Sequence, residues 1–126
     1  MSNMPAGLLA TLLAVCFTAA APTAHAFAQE AAYVGTWALD AKQYAKQCKL
    51  GQHQQGAPLL VKKNRLDQHE AHCEFGSVRA SGMRWEVRAN CTVEGNKERR
   101  NMVLSVKDAR LTVAWGDGVT TTYRKC

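Results

Sequence analysis

What the chain lacks narrows it first. It contains no Cys-x-x-Cys pair, and its last four cysteines lie 25, 18 and 35 residues apart, which excludes the paired-thiolate spacing of a structural zinc site. His-Glu-x-x-His and Gly-x-Ser-x-Gly are both absent, so neither the helical zinc-protease motif nor a nucleophile elbow is present. The longest apolar run, Leu8 to Ala21, falls short of the roughly 20 residues that span a bilayer. No basic arm interleaved with aromatics is found, which argues against a specific nucleic-acid partner. Internal repeats, low-complexity segments and linkers are missing as well.

The N-terminus carries the compartment signal. No charged residue precedes Glu30, and the apolar run is followed by Pro22 and by Ala24-His25-Ala26, small residues suited to a signal peptidase. Residues 1–26 therefore read as a signal peptide and 27–126 as one exported domain, periplasmic or secreted. Cys16 leaves with the signal, and Cys48, Cys73, Cys91 and Cys126 remain. An even set of cysteines in a short exported chain reads as two disulfides, with three possible connectivities. The net charge of +6 belongs wholly to the mature part and favours anionic surfaces.

Period-2 alternation dominates the mature chain. Tyr33 to Leu39 reads as a strand, with residues 27–33 as a loose lead-in. Asp40 is placed to cap a short helical turn through Cys48, which would set Tyr44 and Cys48 on one face. Ala57 to Lys63 and Leu66 to Phe75 read as the next strands, with a bulge foreseen at Gly76-Ser77 and a hairpin tip at Ala80-Ser81-Gly82. Met83, Trp85, Val87, Ala89, Cys91 and Val93 then alternate with polar residues. Strands at Met102–Lys107, Leu111–Trp115 and Val119–Tyr123 complete an all-β chain: a small antiparallel up-and-down barrel or sandwich of seven or eight strands.

The long hairpin also pairs the cysteines. Cys73 and Cys91 are equidistant from Gly82, and residues equidistant from a hairpin tip face each other within disulfide reach. A bulge at Gly76 would shift this register by one. Pairing Cys73 with Cys91 leaves Cys48 with Cys126, joining the first helical turn to the last strand, which is the neighbour of the first strand in a closed barrel.

Gly35-Thr36-Trp37 at the start, with Arg124 near the end, resembles the pattern of lipocalin-like barrels. That likeness implies that Trp37 packs under Arg124, a cation over an indole face. The segments GTWALD, QCK, GAPLL, DQHEAHC, CTVEG and the terminal RKC resemble a family of small secreted proteins of Gram-negative bacteria, which implies fold and compartment rather than a mechanism. A more distant similarity is to periplasmic metalloprotease inhibitors, which push their N-terminal residues into a protease cleft. It implies such a role for Phe27 to Ala32.

One cluster, His69-Glu70-Ala71-His72-Cys73, invites a metal reading. On a strand, His69 and Cys73 would face one way and Glu70 and His72 the other, so the two histidines would not share an ion. His53, His69 and His72 are the side chains from which a metal site could be assembled; the expectation is that none is, and that no cofactor is held. Trp37, Trp85 and Trp115 read as core. With no catalytic set, the expected function is a non-enzymatic binding domain that recognises a protein or small-molecule ligand at one open barrel end. The alternative is a protease inhibitor acting through residues 27–32, and a third is a metal-binding enzyme or chaperone.

Overall fold

A computed structural model describes residues 2–3, 7, 14–19 and 30–126. The expected cleavage site at Ala24–Ala26, and most of the signal segment, lie outside the described residues. No helix among the described residues is long and apolar enough to cross a membrane. Eight strands form a closed antiparallel barrel in chain order: β1 (Gly35–Leu39), β2 (Leu59–Lys62), β3 (Arg65–Gln68), β4 (Ala71–Ser81), β5 (Arg84–Val93), β6 (Asn96–Lys107), β7 (Arg110–Ala114) and β8 (Thr120–Lys125), with β8 returning to β1. One helical turn, α1 (Tyr44–Gln47), lies between β1 and β2. The all-β barrel, its short helix and both disulfides, Cys48–Cys126 and Cys73–Cys91, match the sequence reading. Two such bridges suit an oxidising extracellular or periplasmic setting.

Alternation explains β5. Trp85, Val87, Ala89 and Cys91 point inward and are buried, while Arg84, Glu86, Arg88 and Asn90 face solvent. Inward residues of the other strands, among them Trp37, Leu59, Leu66, Met102, Leu104, Leu111 and Tyr123, fill the barrel with side chains. Each large apolar side chain so buried contributes about 1.5–3 kcal/mol.

Several boundaries differ from expectation. The stretch Leu66–Phe75 is two strands, because the chain reverses at His69-Glu70, where Glu70 takes φ 60°. The hairpin tip is Gly82-Met83, which leaves Met83 exposed instead of inward. β6 begins at Asn96, earlier than its apolar residues indicate, because Asn96–Asn101 pair with β5 while remaining largely exposed. Asp40 does not cap α1; its carboxylate meets Arg110 at 2.9 Å, and the helix start has no side-chain cap. The lead-in is not loose throughout. Tyr33 is buried, stands edge-on to Trp85 and Phe75, and donates its hydroxyl to the carbonyl of Lys63, while Ala31, Ala32 and Val34 pack against the core. Residues 31–34 plug the barrel end where β1 begins.

The cysteine register holds for a reason the tip position alone does not provide. Near the tip Ser81 faces Arg84 and Ala80 faces Trp85. Continued without interruption, that register would set Cys73 opposite Thr92. A bulge between Phe75 and Ser77 absorbs Gly76, so that Ser77 faces Arg88, Phe75 faces Ala89, and Cys73 meets Cys91. The bulge also restores inward and outward alternation along β4, keeping Cys73 in the core.

Candidate functional site

Among the described residues the inward side chains form one buried cluster, and the clefts lie at the barrel's rim and on its outside. Along β1, Trp37 points inward and is buried, and Leu39, in the same phase two residues on, is 41% exposed. Leu39 is thus an apolar side chain at the open rim. The chain leaving β1 folds back as α1 and continues into the loop 51–56, and together they enclose a cleft of about 700 Å3 beside Leu39. Ala41, Tyr44 and Leu50 supply further apolar lining; Lys42, Lys46 and the amides of Gln43, Gln47 and Gln55 form its polar rim. That volume lies within the range of small-molecule sites, about 300–1,000 Å3.

Four contacts hold the cleft wall. Cys48, directly after α1, is bridged to Cys126 with a Cα–Cα distance of 5.6 Å. Tyr44 donates its hydroxyl to the carbonyl of Lys125, and the Arg124 guanidinium lies 4.5 Å from the Tyr44 ring centre. The Leu39 N–H donates to Gln47 Oε1 at 2.6 Å. Tyr44 and Cys48 therefore both turn toward the C-terminal strand, as their spacing implies. Among the described residues the cleft lining includes no carboxylate. The nearest in sequence, Asp40, is already engaged by Arg110 at 2.9 Å and Arg124 at 3.7 Å. Lys42 and Lys46 form no ion pair among the described residues, and they make the rim positive.

The Trp37–Arg124 pair is corrected by one residue. Tyr123 is buried, so alternation sends Arg124 outward, opposite Ala38, and brings Lys125 opposite Trp37. Lys125 Nζ lies 5.8 Å from the Trp37 ring centre, and its side chain runs over Gly35, where a Cβ would stand 3.2 Å from Lys125 Cε. The glycine of Gly-x-Trp thus makes room for a lysine stem. Trp37 donates its indole N–H to the carbonyl of Tyr33 at 2.9 Å, which ties the barrel start to the plug.

The histidines are not gathered. His53 is on the exposed loop 51–56, and His69 is in the β3–β4 turn, 3.7 Å from Glu70, rather than on a strand facing Cys73. Cys73 is in a disulfide. His72 faces outward on β4, where its Nδ1 lies 2.8 Å from Asp67 on the neighbouring strand. Arg65 grips the same carboxylate through both oxygens, at 2.8 and 2.7 Å. Among the described residues no three His, Cys, Asp or Glu side chains are placed to hold a metal ion.

The Arg65 hydrogen bonds are the main reason Asp67 stays ionised below the usual carboxylate range; His72 assists, against partial burial. With the folded-state value depressed, the triad's stabilisation is present above the unfolded value of ~3.9 and is lost as pH falls through the lower folded value. Asp67→Asn should therefore flatten the acid limb of the stability profile, measurable by thermal unfolding across that range. An acid limb as steep as that of the unaltered protein would contradict this role.

Sequence reasoning missed the cleft and the Arg65–Asp67–His72 triad. The triad had a signal: Arg65 and Asp67 are two apart, the spacing that puts two side chains on one strand face. Comparison with protein-family models, curated proteins and solved structures found no match.

Proposed function

We propose that the chain is a non-enzymatic binding domain, exported to the periplasm or secreted, that takes a small amphiphile with an anionic head in the rim cleft beside Leu39. The observation that carries this reading is the cleft's chemistry: an apolar lining from Leu39, Ala41, Tyr44 and Leu50 under a rim whose charged groups, among the described lining residues, are Lys42 and Lys46. An apolar chain would lie against Leu39 and Leu50, while a carboxylate or phosphate would meet the two ammonium groups and the glutamine amides. A barrel interior occupied by a cluster of buried side chains supports a rim site over a deep one. Disulfides in a chain whose N-terminus reads as a signal peptide support export. Binding rather than catalysis is the reading that a lining of lysine, glutamine and apolar groups supports.

The test uses dodecanoate as the anionic probe and dodecyltrimethylammonium as its cationic counterpart, with binding to the oxidised protein measured by calorimetry. Dodecanoate should bind, and Lys42→Glu with Lys46→Glu should weaken it at least about tenfold, equivalent to about 1.4 kcal/mol. Leu39→Asp should weaken both the chain and the head contacts. Equal binding of the two amphiphiles, or dodecanoate binding indifferent to the lysine changes, would refute the reading.

A further inference from the structure

The three longest strands, β4, β5 and β6, do not end level with their neighbours. β3 pairs with β4 only as far as Arg65 opposite Glu74, with one further bond from the Phe75 N–H to the Asn64 carbonyl at 2.8 Å. Past that point β4 continues from Gly76 to Ser81 with β5 on one side and no strand on the other among the described residues, and every residue of this stretch is exposed. We propose that this free edge of β4 is a docking site for an extended acidic segment of another protein, which adds to the barrel as a further strand.

The backbone has the groups for it. A two-residue turn at Gly82-Met83 makes Ser81 and Arg84 a hydrogen-bonded pair, and antiparallel pairs alternate from there. Val78 opposite Val87 and Ala80 opposite Trp85 are thus the pairs that do not bond to each other. The N–H and C=O groups of Val78 and Ala80 consequently point away from β5, toward solvent. The Cys73–Cys91 pair, in the same phase beyond the bulge, has the close Cα spacing of 4.0 Å expected of such non-bonded pairs. A strand that paired here would satisfy the outward groups, the mode by which sheet edges capture extended peptides.

Side chains and charge select the occupant. On the barrel side, Val78 is 41% exposed and lies beside Ala80, forming an apolar step next to buried Trp85 and Val87. On the outer side Arg79, Arg84 and Arg88 are presented, and the exposed Lys62 and Lys63 stand at the corner where β3 starts. The nearby carboxylates are Glu86, bonded to Arg79 at 2.9 Å, and Glu74 beside Arg65. Cations predominate, so the fitting strand alternates apolar residues facing Val78 and Ala80 with acidic residues facing the arginines. A second copy of this chain is a poor occupant, because antiparallel pairing of two such edges would bring the same arginines together.

The probe is a short end-capped peptide alternating valine and glutamate, added to the oxidised protein, with amide hydrogen exchange as the readout. The Val78 and Ala80 amides should exchange at least about tenfold more slowly with the peptide present. A peptide with lysine replacing glutamate should give no protection. Val78→Pro and Ala80→Pro each remove an outward N–H at an edge, where proline is tolerated, and should abolish the effect with both disulfides still formed. Should either variant fail to fold, Arg79→Glu with Arg84→Glu should weaken peptide binding about tenfold on an intact barrel. Equal protection by the lysine peptide, protection confined to the rim cleft, or Val78 and Ala80 amides already slow in the free protein would each overturn the proposal.

Discussion

Deleting Gly76 is expected to leave the Cys73–Cys91 bridge formed, while deleting Arg88, across the same hairpin, is expected to abolish it. The two residues stand on either side of the bulge: Gly76 is the unpaired extra residue of β4, and Arg88 is the partner of Ser77. Without Gly76 the ladder passes directly from Ser77–Arg88 to Phe75–Ala89, and Cys73 still reaches Cys91. Alternation along β4 becomes regular, and stability should change by no more than about 1 kcal/mol. Removing Arg88 acts oppositely. It leaves β4 with two residues in excess and turns either the Trp85–Val87 set or the Ala89–Cys91 set out of the core, because a one-residue slip exchanges the faces of a strand. The loss should include the about 3 kcal/mol that an eighteen-residue loop closure supplies, besides the buried side chains. Peptide mapping under non-reducing conditions, with denaturant unfolding of each variant, decides the matter. Bridges surviving in both variants would show that the hairpin register is not what brings the cysteines together.

How far the sequence could be read depended on whether a residue's position showed in its own chemistry. β5 was legible because its inward residues are apolar and its outward ones polar. The β3–β4 turn was not, since Glu70 adopts a positive φ without the glycine or asparagine that normally marks one. The first half of β6 was hidden for another reason: Asn96–Asn101 are polar or charged at inward and outward positions alike, so they have no apolar rhythm to display. Arg124 and Lys125 differ by one step in a two-step alternation, and only the burial of Tyr123 decides which of them meets Trp37. The disulfide pairing was reached from a tip placed slightly too early, and the Gly76 bulge compensates for that displacement. The rim cleft had no local signature at all. Its lining falls within residues 39–56, a stretch without a motif or a regular apolar period, and contacts to the C-terminal strand hold that stretch in place.

Replacing Cys48 and Cys126 together by serine is expected to cost more stability than loss of the shorter bridge alone and to dismantle the cleft while leaving the barrel recognisable. The bridge closes a loop of seventy-eight residues, which in the chain-entropy model corresponds to about 4.5 kcal/mol, more than the shorter bridge supplies. Locally, α1 has little of its own to keep it formed. It is four residues long, its start has no side-chain cap, and none of its residues is buried; isolated helices shorter than about 12 residues are marginal in water. What remains after the substitution is the Tyr44 bond to Lys125, the Arg124 contact with the Tyr44 ring and the Gln47 bond to Leu39. Each is worth about 1 kcal/mol at most when exposed. The barrel proper retains its β1–β8 pairing and the Cys73–Cys91 bridge. Denaturant unfolding should therefore show a lower midpoint, and amide exchange should quicken across residues 41–56 before it quickens in β5 or β6. Dodecanoate binding should fall in parallel, at least about tenfold. A large stability loss with amphiphile binding unchanged would assign the bridge to barrel closure alone and place the ligand away from the wall that α1 builds.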